Sequence, residues 1–286
     1  MILSFHPCFE ADKNIICAGR DPDENDLEAV KQADKIILPQ GCSEKLYRLC
    51  KQYGKAIFPN FDARFKYPGK TGQARLFKIH HAPFPVTYIF SSLNDYRSSY
   101  GNSMKNLPMP YPFVFKLDWG GEGDGVFLVR SDNDVTHALI KAAEFEKSGV
   151  HGFLIQEYIR TWDRTLRVVV IGKRFISYWR VQQEKDVFGT SVSKGAQIQR
   201  DTYPVLEKAA VDLAGAFCSK TGINLAGFDF IFREKGVFEK DAIPLFLEIN
   251  YFFGRQGLGG SKAFYKILED EIDHWLLGGG CVSNQL

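Results

Sequence analysis

Net charge, clustered sulfur and long apolar runs are all scarce in this sequence, and each scarcity removes a class of function. Thirty-six basic residues against 34 acidic ones leave a formal charge of +2. So small an excess gives no electrostatic case for binding nucleic acid or an anionic membrane. No stretch approaches the roughly 20 apolar residues that a membrane span requires. The cysteines (Cys8, Cys17, Cys42, Cys50, Cys218 and Cys281) include no CxxC pair, and none lies at zinc-like spacing from a histidine. Scattered thiols of this kind suit a reducing compartment. The opening MILSFHPCFE lacks a cationic start followed by a long apolar run, so no secretory signal is expected and the cytoplasm is the expected location. Neither GxGxxG after the first strand nor GxxxxGK[ST] anywhere is present, which argues against a dinucleotide fold and a P-loop. There is no internal repeat and no low-complexity block.

What is there reads as a globular α/β chain: 286 residues, 45% hydrophobic and 24% charged. Residues 1–62 predict a small α/β unit, with strands at Asn14–Ala18, Lys35–Leu38 and Ala56–Phe58. Helices are expected at Glu24–Gln32 and, capped by Ser43, up to Gly54. The Lys-, Arg-, Pro- and Gly-rich stretch Phe61–Gly72 reads as a linker or ordered loop before a helix at Gln73–His81. Next come a strand at Val86–Phe90, a short helix at Asn94–Tyr100 and a proline-rich loop at Asn102–Pro112. Phe113–Leu117 and Val126–Arg130 are strands flanking WGGEGDG, and Asp132 or Asp134 can cap the helix that follows, to Lys147. Phe153–Tyr158 is a strand, and Leu166–Ile171 with Phe175–Arg180 forms a hairpin over Gly172–Lys173. A helix over Leu206–Lys220, strands at Ala226–Phe232 and Leu245–Asn250, and a helix at Phe264–Leu277 complete the pattern. A mobile tail, 281–286, is expected after them.

Side chains alternate along a strand. In AGFDFIF, Phe228, Phe230 and Phe232 therefore share one face and Asp229 takes the other. In PLFLEIN, Leu245, Leu247 and Ile249 share a face, opposite Glu248 and Asn250. A hairpin of these strands gathers Asp229, Glu248 and Asn250 on one surface. Two carboxylates so placed repel and drift toward protonation unless a cation intervenes. A few hard oxygens suit Mg²⁺, which fills its remaining positions with water and phosphate. The plainer alternative is three separate solvated residues. Between the strands around WGGEGDG, backbone N–H groups of Gly120–Gly125 can close over phosphate, with Lys116 on the face of Val114; a simple turn is the alternative. FLIQEYI can offer backbone groups to an adenine edge and Glu157 or a neighbour to ribose hydroxyls, or be only a buried strand. Arg167 and Arg180, on adjacent strands, can grip phosphate or carboxylate, or lie on a half-exposed hairpin.

Taken in order, PFVFKLDWGGEGDGVFLV, FLIQEYI, DRTLRVVVIGKRF, SKGAQ, AGFDFIF and PLFLEIN resemble the ATP-grasp superfamily, nearest its ribosomal-protein glutamate ligase and glutathione synthetase branch. The resemblance covers roughly residues 70–277. It implies an α+β ATP-grasp fold, two α+β subdomains (63–155 and 156–280) clamping ATP, behind a small α/β N-terminal domain. It gives Lys116 the α- and β-phosphates, and gives Gly120, Gly121, Gly123 and Gly125 the flexible loop over the γ-phosphate. Gln156, Glu157, Tyr158 and Ile159 become the adenine hinge. Arg167, Arg180 and Lys194 stand near the acyl phosphate, and Asp229, Glu248 and Asn250 hold one or two Mg²⁺ ions, for which Mn²⁺ can substitute. The family's Asp-Ile-Arg motif reads Thr165-Leu166-Arg167 here, so the ribose-facing acid is either missing or supplied by Asp163. Lys70 and Arg75 both fit the first ATP-site lysine. Lys185–Ser193 lacks the arginine and asparagine of the glutamate ligases, so the substrates stay open, and Arg255 fits a substrate carboxylate, a γ-phosphate or plain surface.

The activity implied is ATP-dependent joining of a small-molecule or peptide carboxylate to an amine through an acyl phosphate, with no nucleic-acid or membrane partner and with room for a homo-oligomer. An ATP-grasp phosphotransferase and a non-catalytic ATP-binding protein are the other readings.

Overall fold

The computed structural model describes residues 1–101, 109–120, 123, 125–161, 163–184, 187–200, 202–233 and 242–278. Its framework is three sheets. The first is parallel, in the order β2-β1-β3-β4, from β1 (Ile2–Ser4), β2 (Lys13–Asn14), β3 (Lys35–Ile37) and β4 (Ala56–Phe58). Helices α1 (Glu24–Gln32) and α2 (Glu44–Gln52) connect β2 to β3 and β3 to β4. Ser43 caps α2 as expected, and Asp23 and Asp26 form a reciprocal cap on α1. The strand expected at Asn14–Ala18 stops at Asn14, and the chain turns away through Ala18, which sits at φ +46°.

Phe61–Gly72 is no linker. It contains α3 (Asp62–Lys66) and the first turn of α4 (Gly69–Ile79). No local side chain caps α4; the Thr71 N–H donates to Asp118 Oδ1 at 2.6 Å and the Lys70 N–H to the Asp118 carbonyl at 3.2 Å. A Cβ at Gly69 would lie 2.3–2.6 Å from that carboxylate, so only glycine permits the approach. This cap comes from the end of a strand far along the chain, out of reach of local pattern reading.

The second sheet is antiparallel, in the order β5-β8-β6-β7, from β5 (Thr87–Phe90), β6 (Phe113–Leu117), β7 (Val126–Val129) and β8 (Phe153–Glu157). Phe113, Phe115, Leu117, Phe153 and Ile155 point to one face and are buried with residues of α5 (Leu93–Tyr100) and α6 (Asp132–Lys147). Alternation sends Val114, Lys116, Leu154 and Gln156 to the other face. Ser131 caps α6, in place of Asp132 or Asp134; the Asp134 carboxylate instead accepts the Arg130 N–H at 2.8 Å. Most of the loop expected at Asn102–Pro112 lies outside the described residues, as does the tail 281–286.

The third sheet is antiparallel, in the order β11-β10-β9-β12-β13. Its strands are β9 (Arg164–Ile171), β10 (Arg174–Val181), β11 (Gln197–Gln199), β12 (Leu225–Ile231) and β13 (Leu245–Asn250). One face buries Leu166, Val168, Phe228, Phe230 and Phe246 beneath α7 (Pro204–Thr221) and α4. The expected partition of β13 is corrected here. Asp229 pairs with Glu248 but Phe230 pairs with Phe246, so Leu247 is the extra residue of a β-bulge. Phe246 and Ile249 therefore fill the core, while Leu247 turns to the opposite, cavity-lining face. Helix α8 (Gly260–Leu276) packs Phe264, Leu268 and Ile272 with Ile37 and Phe58 of the first sheet and Val169 and Leu225 of the third. Among the described residues no helix is long and apolar enough to cross a membrane.

Candidate functional site

A cavity of about 810 Å³ opens between the second and third sheets. Its floor on one side is the polar face of the second sheet, where period-two alternation in β6 and β8 presents Val114, Lys116 and Gln156. Lys116 is buried, and that burial pushes its ammonium down to about 8, with Glu248 opposing the shift and Lys70 adding to it. Lys70 lines the same cavity from the first turn of α4, its Nζ donating to the Gly120 carbonyl at 2.7 Å. Arg75 is exposed one and a half turns further along that helix. Of the two residues left open in the sequence, Lys70 lines the cavity and Arg75 does not.

The third sheet supplies the opposite wall in transverse rows. Tyr178 pairs with Arg167, Arg167 with Asp229, and Asp229 with Glu248, so one side chain from each of four strands forms a line across the sheet. Asn250 follows Glu248 on the same face, opposite Gly227. Asp229, Glu248 and Asn250 thus share one surface and one cavity, as the alternation implied. The forces between them differ from the expectation. Arg167 grips Asp229 through Nε and, at 2.9 Å, through Nη2, and Arg180 Nη2 lies 2.7 Å from Oδ1. Asn250 Nδ2 donates to Asp229 Oδ2 at 3.2 Å. Burial alone would raise the Asp229 carboxyl, but the two guanidiniums outweigh it and hold it below the usual range. The guanidinium cations of Arg167 and Arg180 thus offset the Asp229 carboxylate where it faces Glu248.

The donor set nevertheless fits Mg²⁺. Among the described residues no three His, Cys, Asp or Glu side chains form a ready cage. Magnesium does not need one, since it takes a few hard oxygens and leaves the rest to water and phosphate. The Glu248 carboxylate forms no hydrogen bond or ion pair with a described residue, and the Asn250 amide spends its nitrogen, not its oxygen, on Asp229. Asp229 reaches an ion only by giving up an arginine contact. Arg180, lowered by burial, has a buried Nε without a hydrogen-bond partner, a donor left over for an anionic ligand.

Tyr158, Ile159 and Asp163 line the cavity where the chain crosses from the second sheet to the third. Asp163 holds φ +49°, and its carbonyl accepts the Gln182 N–H at 2.7 Å. Gln156 is buried and donates to Thr87 Oγ1 at 2.9 Å. Glu157 lines the cavity too, and Arg233 holds its carboxylate in a two-pronged pair at 2.7 and 3.0 Å. Lys194 reaches from the third sheet to the glycine loop, its Nζ 3.1 Å from where a Gly123 Cβ would stand. Gly120 and Gly125 bracket that loop at φ +119° and +72°, and Gly121 lies outside the described residues. Sequence reading did not single out Tyr178 as a cavity residue, whereas Phe252 and Phe253 fall in the loop 252–260 where substrate specificity is expected. Register would have found Tyr178; the two phenylalanines follow a strand end and carry no periodic signal.

A family model described as a RimK-like ATP-grasp domain matches residues 75–263. The chain belongs to that family. Members of it are ATP-binding, and ATP and Mg²⁺ are the cofactors that go with the fold. Among solved structures, a RimK domain ATP-grasp protein from Sphaerobacter thermophilus superimposes with a TM-score of 0.57 at 13% identity, over 94% of this chain and 98% of that one. D-alanine–D-alanine ligase from Bacillus anthracis, complexed with ATP, gives 0.61 at 13% identity, over 93% and 84%. An ADP complex of N5-carboxyaminoimidazole ribonucleotide synthetase gives 0.58 at 12% identity, over 87% of this chain and 62% of that one. At such identities the likeness speaks for the fold. No curated protein matches the sequence.

Proposed function

We propose that this ATP-grasp chain is a carboxylate–amine ligase that activates its acid as an acyl phosphate and releases ADP and phosphate. The observation that carries this reading is the convergence of Lys70 and Lys116 from one side with Arg167, Arg180, Asp229, Glu248 and Asn250 from the other, all on one cavity. We also assign residues 1–62 as the small α/β domain, 63–155 and 156–280 as the two ATP-grasp subdomains, and a cytoplasmic setting where ATP is at hand and thiols stay reduced.

In this reading Gln156–Ile159 present backbone groups to adenine, and Asp163 takes the ribose hydroxyls. Lys70 and Lys116 fix the phosphates from below, and Gly120–Gly125 close from above with Lys194 at the loop tip. Glu248, Asn250 and a released Asp229 would hold Mg²⁺, which would withdraw charge from the phosphates when bound. Arg167 and Arg180, freed from Asp229, turn to the reacting carboxylate and the charge that develops on the transferred group. The side chains position and neutralise, and none need become covalently attached. Loop closure keeps water from the activated acid.

Glu248→Ala is expected to lower Mg²⁺-dependent ADP release by about 10²-fold or more while circular dichroism stays that of the parent. Near-parental turnover would remove the metal assignment. Product analysis separates the ligase from a phosphotransferase: free phosphate plus an amide supports the ligase, and phosphate retained on the acceptor refutes it.

A further inference from the structure

Period-two alternation puts Thr165 and Arg167 of β9, and Tyr178 and Arg180 of β10, on the cavity face of the third sheet. Arg180 stands directly opposite Thr165 in the ladder, two residues along from the pair of Tyr178 with Arg167. Its guanidinium is almost wholly buried, and one nitrogen carries two contacts. Nη2 lies 2.7 Å from Asp229 Oδ1 and donates to Thr165 Oγ1 at 3.0 Å. The two holds differ in kind. Asp229 is a charge partner, and on the reading above the metal claims it. The Thr165 hydroxyl is neutral, so it fixes the guanidinium and leaves its positive charge unspent.

That hydroxyl is itself fixed. Thr165 is buried, and its Oγ1 lies 2.6 Å from Thr190 Oγ1. A guanidinium only donates, so the Thr165 oxygen accepts from Arg180 whichever threonine supplies the proton between the two hydroxyls. Thr190 belongs to a cavity-lining stretch that one side chain ties down on both sides. Buried Gln182, just past the end of β10, donates from Nε2 to the Gly189 carbonyl at 3.4 Å and to the Lys194 carbonyl at 3.0 Å. Arg180 is therefore anchored through Thr165 and Thr190 to the loop and the strand end, by a path that does not pass through Asp229.

We infer that Thr165 is a positioning residue, whose hydroxyl keeps Arg180 aimed at the transferred phosphoryl group once Asp229 has turned to the metal. This rests on the ligase reading and deepens it. Held by the carboxylate alone, the guanidinium would follow Asp229 or swing away as the metal bound. Held by Thr165 as well, it stays in the cavity, with its buried and unpartnered Nε there for the anion.

Inorganic phosphate, a product of the proposed reaction, is a probe that needs neither unknown substrate. It is titrated by calorimetry into the full chain saturated with Mg²⁺ and ADP, after ADP binding itself has been measured. The parent and Thr165→Ser, which keeps the hydroxyl, are expected to bind phosphate alike. Thr165→Val, similar in shape but without the hydroxyl, is expected to lose about tenfold or more in phosphate affinity, with ADP affinity close to the parent's. Thr190→Val removes only the outer partner and should cost about threefold or more, and it carries the test if Thr165→Val does not fold. Parental phosphate affinity in the valine variant overturns the inference and leaves the ligase standing. So does a parallel loss of ADP and phosphate affinity, the mark of a merely structural residue. A parent that binds ADP but no phosphate removes the anion role of Arg180, and the inference with it. A parent that binds no ADP defeats the nucleotide reading as a whole.

Discussion

Lys116 occupies the fourth position of a strand whose five residues are all buried, an expensive place for an ammonium unless its charge has work to do. With burial bringing it down to about 8, it is charged below that pH and loses its proton as pH rises through it. Affinity for a non-hydrolysable ATP analogue should therefore fall between about pH 7 and pH 9.5, and binding in the upper part of that window should take up a proton. Lys116→Met should weaken binding by roughly tenfold to a hundredfold at pH 7 and abolish the pH step. Calorimetry in buffers of differing ionisation enthalpy reads both effects; a pH step that survives in the variant would assign it to another group. Residues such as Lys116, Asp229, Glu248 and Asn250 were legible in the sequence because each interrupts an apolar strand, and period-two alternation then fixes its face. Lys70 was not separable from Arg75, since the helix that orients it begins on a cap supplied by Asp118, 48 residues further along. The arginine hold on Asp229 was also hidden: pairing register between β9 and β12 had to be seen before Arg167 and Asp229 became neighbours.

Whole elements were easier to read than their ends or their irregularities. α1, α2 and β6 stand where amphipathic spacing and caps put them, because those signals are local. The bulge at Leu247 was invisible, as PLFLEIN alternates well enough in isolation and only competition for the core, won by Phe246, displaces it. The strand β12 shows how far function depends on such packing. Gly227 lies under Arg167, and a Cβ there would come 3.0 Å from the arginine Cδ, 3.1 Å from Nη1 and 3.3 Å from the Phe253 Cβ. Gly227→Ala must shift the Arg167 side chain or the loop after β13 by a few tenths of an ångström. The expected cost is about 1–3 kcal/mol of stability, together with a loss of ATP turnover larger than the stability change accounts for. Thermal melting and ADP release on the same preparation test this, and parental turnover in the variant would show that the Arg167 position tolerates displacement.

At the scale of the molecule, α8 is the common support of two sheets that share no strand. Phe264, Leu268 and Ile272 meet Ile37 and Phe58 on one side and Val169, Ile171 and Leu225 on the other in a single buried cluster. Lys35 adds a hydrogen bond from Nζ to the Leu276 carbonyl, and the Asn60 N–H donates to Asn224 Oδ1 at 2.8 Å, so polar ties reinforce the apolar one. Chains of this length often unfold in stages, each sheet losing its structure separately. The shared cluster opposes that here, because neither the first sheet nor the third can shed α8 without exposing its own core. Leu268→Ala should remove about 2–5 kcal/mol from this joint and lower the stability of both sheets together. Urea unfolding followed by far-ultraviolet circular dichroism, and separately by the fluorescence of Trp275 beside Phe58 and of Trp179 in the third-sheet core, reads the two sides. Midpoints that move in step support α8 as the element that holds the cavity-lining third sheet to its N-terminal neighbour. A shift confined to the Trp275 signal would show the first sheet to be a separable unit, and the site would then owe its geometry to α4, α7 and the third sheet alone.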